Sequence, residues 1–268
     1  MRAFCCAILI FGLAASAQVF HLSALDWSPD GTRLLLVTNF QLFLAEDESL
    51  RKLTPIYAET WTDWARFGSD EWFVFPSPLA DGFGLWRGFL DGREPELLHR
   101  SEKPILWPTV SADGTKIAFV EDWNDLVILD LSRGEARTVL GGDWPKATPE
   151  FLPTGQALLF AGFWARDHEP NWEIFYLDLA TLNLIQLTAD LFFDWCPRIS
   201  PDGLWIAFVS NRGGTGDIWI MPLFGDTPFP VTEDPWDDAF PAWSPDGSTL
   251  GYASFRLEGW EFRRTGTH

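Results

Sequence analysis

The amino-acid sequence predicts an all-β protein, a six-bladed β-propeller of four-stranded antiparallel blades. Two observations carry that expectation. The first is a recurring turn: Ser28-Pro29-Asp30-Gly31 returns as Ser111-Ala112-Asp113-Gly114, Ser200-Pro201-Asp202-Gly203 and Ser244-Pro245-Asp246-Gly247. Gly155, in the degenerate copy Leu152-Pro153-Thr154-Gly155, lies 48 positions before Gly203, which lies 44 before Gly247. That period is the length of a propeller blade. The second observation is that short apolar stretches of strand length flank each turn, with no long helical period between them.

The tetrapeptide is a tight turn by its chemistry. Pro presets φ at its second position, Asp suits the third, and Gly accepts the left-handed conformation that follows. It therefore joins two strands of a hairpin. Phe240-Pro241-Ala242-Trp243 reads as a first strand and Leu250 to Phe255 as a second. Asp217-Ile218-Trp219-Ile220-Met221 reads as a third strand of the repeat before. Leu53-Thr54, Leu187-Thr188 and Val231-Thr232 end fourth strands. Four short strands per repeat define a propeller blade, with a solenoid as the competing architecture. Repeats begin near residues 24, 62, 106, 147, 195 and 239. The sixth supplies only three strands, so the segment Val19 to Ser23 is expected to complete it as an outer strand and pair near Phe262. Such closure would leave no open sheet edge.

Residues 1–17 read as a signal peptide: Arg2, an apolar stretch from Ala3 to Ala14, then Ala15-Ser16-Ala17 before Gln18. The stretch is too short to span a bilayer as a helix. One propeller domain, residues 18–268, and a periplasmic or secreted location are the expectation. The chain carries 38 Asp and Glu against 19 Lys and Arg, a formal charge of −19. That balance repels nucleic-acid phosphates and anionic lipids, so neither nucleic-acid binding nor membrane insertion after cleavage is expected. Cys196 alone would survive cleavage, as a buried thiol without a disulfide partner.

The run from Phe240 to Gly247 resembles the TolB-type propeller repeat, and so does Pro197 to Arg212. The resemblance covers the chain from about residue 19 onward and is strongest in the third, fifth and sixth repeats. It implies a six-bladed, extracytoplasmic, mostly protein-binding propeller. The family's Tol–Pal members bind a peptidoglycan-associated lipoprotein and carry an α/β domain before the propeller. Here the first repeat directly follows the leader, so the resemblance is to the propeller alone. Similar repeats occur in prolyl-oligopeptidase-type peptidases and oligogalacturonate lyases.

Catalytic chemistry finds little support in the residues. No Gly-x-Ser-x-Gly elbow occurs. His21, His99, His168 and His268 are scattered, which argues against a histidine metal site, and no cofactor or metal is expected. The turn aspartates Asp30, Asp113, Asp202 and Asp246 are explained by their turns. Gly213-Gly214-Thr215-Gly216 is a hairpin loop without the Lys of a phosphate loop. What remains is tryptophan. Of 16 in the chain, Trp61, Trp64, Trp123, Trp144, Trp164, Trp195 and Trp236 fall in or beside loops that antiparallel topology brings to one face. Acids accompany them, chiefly Asp143, Asp194, Asp237 and Asp238. The expectation is an acidic, Trp-rich face binding a protein or peptide that is basic at the contact. The alternative is a carbohydrate-binding or carbohydrate-active, lyase- or hydrolase-like, propeller.

Overall fold

The structure is a computed structural model and describes residues 22–38, 41–47, 49–53, 65–164, 170–225, 227–256 and 259–266. Residues 1–21, Trp61 and Trp64 lie outside the described residues. The protein is all-β, with six antiparallel sheets as the blades. Blade one spans residues 22–52, blade two 66–101, blade three 105–140, blade four 146–186, blade five 194–230 and blade six 237–266. Among the described residues five blades have four strands and the sixth has three.

The first strands are Leu22–Trp27, Arg66–Phe67, Ile105–Val110, Lys146–Phe151, Asp194–Ile199 and Asp237–Trp243. Each packs on the first strand of the next blade, and the sixth packs on the first, so the cycle closes. This ring excludes the solenoid. Closure between blades six and one rests on face packing. Leu25, Leu34 and Leu36 of blade one cluster with Ala242, Ala253 and Phe262 of blade six. Leu22 pairs with Thr38 inside blade one, so the expected pairing of Leu22 near Phe262 is not made. Val19 to His21 lie outside the described residues.

Second and third strands are apolar on both faces because each blade is sandwiched between two others. Phe119, Phe160 and Phe208 occupy the same position in three successive blades and are fully buried. Each such ring stabilises by about 1.5–3 kcal/mol. The turns interlock too. A methyl group built on Gly247 would lie 3.6 Å from Pro201, on Gly203 3.8 Å from Pro153, and on Gly31 3.4 Å from Pro245. Pro of one turn therefore rests on Gly of the next, including across the closure. Where blade three has Ala112 for Pro, Gly155 meets nothing. The glycines also carry φ of +67 to +74° in these turns. Each turn Asp is engaged internally, as Ser111 Oγ to Asp113 at 2.6 Å and Ser244 Oγ to Asp246 at 2.6 Å show.

First strands in blades three to six share an irregularity. Trp107, Thr148, Cys196 and Phe240, each followed by Pro, have φ of +47 to +54°. The pairing register slips at the same places. A bulge of this kind re-aims the side chains around it. Cys196 is buried by it, and burial pushes its thiol up to about 12, against the pull of Arg66.

Candidate functional site

The bulges set up the channel. Two residues before each turn, the six blades present Asp26, Arg66, Thr109, Glu150, Arg198 and Ala242. Four of these meet across the axis. Arg66 of blade two reaches Asp26 at 3.2 Å and forms a close ion pair with Glu150 of blade four. Arg198 of blade five reaches Asp26 at 2.9 Å and Glu150 at 3.5 Å. Phe67 N–H donates to Asp26 at 2.9 Å, and Thr109 Oγ to Glu150 at 3.4 Å. Two cations and two anions thus plug the channel with no net charge. Sequence reading by motif passes over this network. Its signal is the polar residue at a fixed offset before the turn in an otherwise apolar strand.

The plug leaves the face carrying the loops between second and third strands, and between one blade and the next. Trp123 is 49% exposed and stands edge-on to Trp107 at 5.1 Å. Trp164, 40% exposed, ends the second strand of blade four and meets Trp144 at 5.1 Å. Trp144 is half-buried against Phe160 and Phe175. Beneath it the fully buried Lys146 donates to the carbonyls of Asn124 and Trp144 and lies 4.1 Å from the Trp144 ring. Burial lowers that amine to about 8, against Asp125 and Asp143. Asp143 is exposed. Phe163 is exposed on the same side, as are Leu191 and Phe192, which the sequence reading did not select. Phe163 packs on Trp172, and the neighbouring Asn171 side chain donates to the Phe192 carbonyl.

The remaining candidates divide: Asp237 is exposed, Trp195 and Trp236 are half-buried, and Asp194 and Asp238 are buried. Trp195 is half-buried between Phe193 and Phe240, each 6.0 Å away, and serves packing. Trp236 lies under the Arg256 guanidinium at 5.5 Å. Asp237 is exposed and accepts from Gly216 N–H at 2.9 Å. Asp194 and Asp238 are buried, because strand alternation turns them into the junctions between blades. Asp194 accepts from Arg212 at 2.7 and 2.9 Å. Of the four histidines only His99 is described. It sits on the outer strand of blade two, its ring tilted against Phe119 at 5.5 Å.

These environments give a pH dependence. Burial pushes Asp194 up to about 6, opposed by Ser210 and Arg212. A carboxyl raised in the fold adds stability below its unfolded value of about 4 and loses that contribution as pH rises through 6. Asp113 is the reverse: the Ser111 hydroxyl and the Thr115 N–H and hydroxyl hold it at about 2. Its contribution is present above pH ~4 and lost as pH falls toward 2. Thermal unfolding should show the melting temperature of Asp194→Asn, relative to wild type, rising from pH 4 to 6. The relative value for Asp113→Asn should rise as pH falls below 4. Flat differences in both would refute these environments.

The fold and its turns define a six-bladed propeller of Ser-Pro-Asp-Gly type. The chain belongs to the TolB β-propeller domain family, which matches residues 83–262. An uncharacterised protein of Agrobacterium fabrum is 23% identical over 262 residues, 86% of this chain and 83% of that one. The structure of a putative TolB from Agrobacterium tumefaciens superposes with a TM-score of 0.73 at 18% identity, covering 93% of this chain and 91% of that one. TolB from Acinetobacter baumannii superposes at 0.61 with 24% identity, over 73% of this chain and 49% of that one. The chain thus accounts for about half of that protein. An oligogalacturonate lyase in complex with manganese shares the fold at a TM-score of 0.61 and 14% identity, over 95% of this chain and 78% of the lyase. An enzyme thus also uses this frame.

Proposed function

We propose that this chain is an exported binding propeller that captures a polypeptide, basic at its contact, on the face bearing the blade-to-blade loops. The observation that carries this reading is the aromatic patch over blades three to five. Trp123, Phe163, Trp164, Leu191 and Phe192 expose apolar surface beside Asp122, Asp143 and Asp190. Exposed apolar patches rimmed by polar groups mark interaction sites on soluble proteins. Indole rings bury area while their N–H groups hydrogen-bond, and carboxylates steer a cationic partner. Family membership supports a protein ligand over a sugar, and the leader-like residues 1–17 support export.

Selection of random displayed peptides on the purified protein tests the proposal. Enriched peptides should be rich in Lys and Arg, and their binding should weaken as salt rises. Trp123→Ala with Trp164→Ala should weaken capture by about tenfold or more. Asp30→Asn with Asp246→Asn, on the opposite turn face, should change it little. Enrichment of acidic peptides, or equal loss in both double variants, defeats the reading. Capture of oligosaccharides in place of peptides would favour the carbohydrate alternative.

A further inference from the structure

The outer edges of the blades are not alike. An outermost strand leaves a row of backbone groups unpaired, and proteins blunt such edges with charge or proline. Blade one ends on Ser49–Lys52 with Arg51 and Lys52, and blade two on Glu96–Ser101 with Glu96 and Arg100. Blade three ends on Glu135–Leu140, with Glu135 and Arg137. Blade five ends on Phe229–Pro230, preceded by Pro228. The last described strand of blade six, Gly259–Gly266, carries Arg263 and Arg264. Blade four ends on Leu184–Gln186, and from Leu179 to Thr188 there is neither charge nor proline. Among the described residues this edge alone is left open.

Its pairing shows which groups face out. The Asn183 carbonyl accepts from Asp178 N–H at 3.0 Å, and Leu187 N–H donates to the Ile174 carbonyl at 2.8 Å. Backbone groups alternate in direction along an antiparallel strand, so those of Leu184 and Gln186 point away from the blade. Ile185 lies directly opposite Tyr176, so their side chains share one face of the sheet. That face looks toward blade five, where Tyr176 packs with Ile206, Phe208 and Met221. Phe224 of blade five stands 5.3 Å from Tyr176.

The apolar surface continues from there. Phe224 is 67% exposed, and Leu204 in the neighbouring turn is 62% exposed. Leu223 N–H donates to the Leu204 carbonyl at 2.9 Å and joins the two turns. Trp205 follows, edge-on to Phe229 at 6.0 Å, and both are exposed. With Leu182, Leu184 and Ile185 these side chains leave about 600 Å² of apolar surface open. That is at the upper end for a monomer and close to the ~800 Å² that each partner gives a standard interface.

A second copy of this chain suits the patch. With a formal charge of −19, two copies repel one another over most of their surface, and this corner is where charge is missing. An antiparallel pair about a two-fold axis satisfies both open edges at once. Leu184 of each copy meets Gln186 of the other, and the two Ile185 side chains lie side by side. We propose that the chain forms a two-fold dimer through the open edge of blade four, with the apolar turns of blade five packed against the second copy. The patch lies on the turn side of the ring, so the dimer is independent of what the opposite loop face binds.

Light scattering after size-exclusion chromatography of the full purified chain should give twice the chain mass at micromolar concentration. Association should tighten as salt rises, because screening relieves like-charge repulsion. Ile185→Glu should weaken it by about tenfold or more, and Leu97→Glu, on the charged edge of blade two, should leave it unchanged. Should Ile185→Glu fail to fold, Phe224→Glu, in an exposed turn, provides the second variant and should weaken association likewise. Under copper–phenanthroline oxidation Ile185→Cys should give a disulfide-linked dimer, since opposed residues of such a pair lie within bridging distance. Wild type and Leu97→Cys should not, because Cys196 is buried and the blade-two edge is unpaired. A monomer at every concentration and salt would overturn the proposal. So would a dimer that survives both Ile185→Glu and Phe224→Glu, or one that Ile185→Cys does not cross-link.

Discussion

Arg198→Met should destabilise the protein by about 3–5 kcal/mol, read as a lower midpoint in urea or thermal unfolding. Arg198 is one of two cations holding Asp26 and Glu150 inside the channel. Its removal leaves two part-buried carboxylates to share Arg66. Neutralising the whole set, with Asp26→Asn, Arg66→Met, Glu150→Gln and Arg198→Met together, should cost less than the single change, because no charge is orphaned. Such non-additivity is the mark of a coupled network. A loss below about 1 kcal/mol for Arg198→Met would show that the plug does not hold the ring.

Trp107→Ala should cost a similar amount, about 3–5 kcal/mol. The indole is aimed by a bulge with φ of +50°, and it packs against three of the apolar clusters at once. Truncation leaves a void shared by several blades, where collapse is difficult in a close-packed interior. Trp123→Ala, half exposed above it, should cost much less. Comparable losses at the two positions would mean that Trp123 is core rather than surface.

The blade order was legible because the turn and the strands repeat a local chemistry. A Pro that presets φ, an Asp that binds its own Ser, and a Gly at positive φ recur together in blades one, five and six, and in part in blades three and four. The site was legible only in part, because sequence shows where a residue lies along the chain better than which way it points. Trp123, Asp143 and Trp164 do lie exposed on one face. Trp144, in the loop before its blade, and Trp195, in the first strand of its blade, both pack inward. Asp194 and Asp238 look like surface acids in the sequence, but strand alternation buries them. The ionic plug joins residues up to 172 positions apart, a separation that no local motif records. Leu191-Phe192 read as ordinary loop apolars until their exposure is seen.

Hydrogen exchange on the protein with and without a selected peptide bears most directly on the proposed working face. The account predicts slowed exchange at the segments around Trp123, Phe163-Trp164 and Leu191-Phe192, with the Ser-Pro-Asp-Gly turns unchanged. Protection confined to those turns would contradict it.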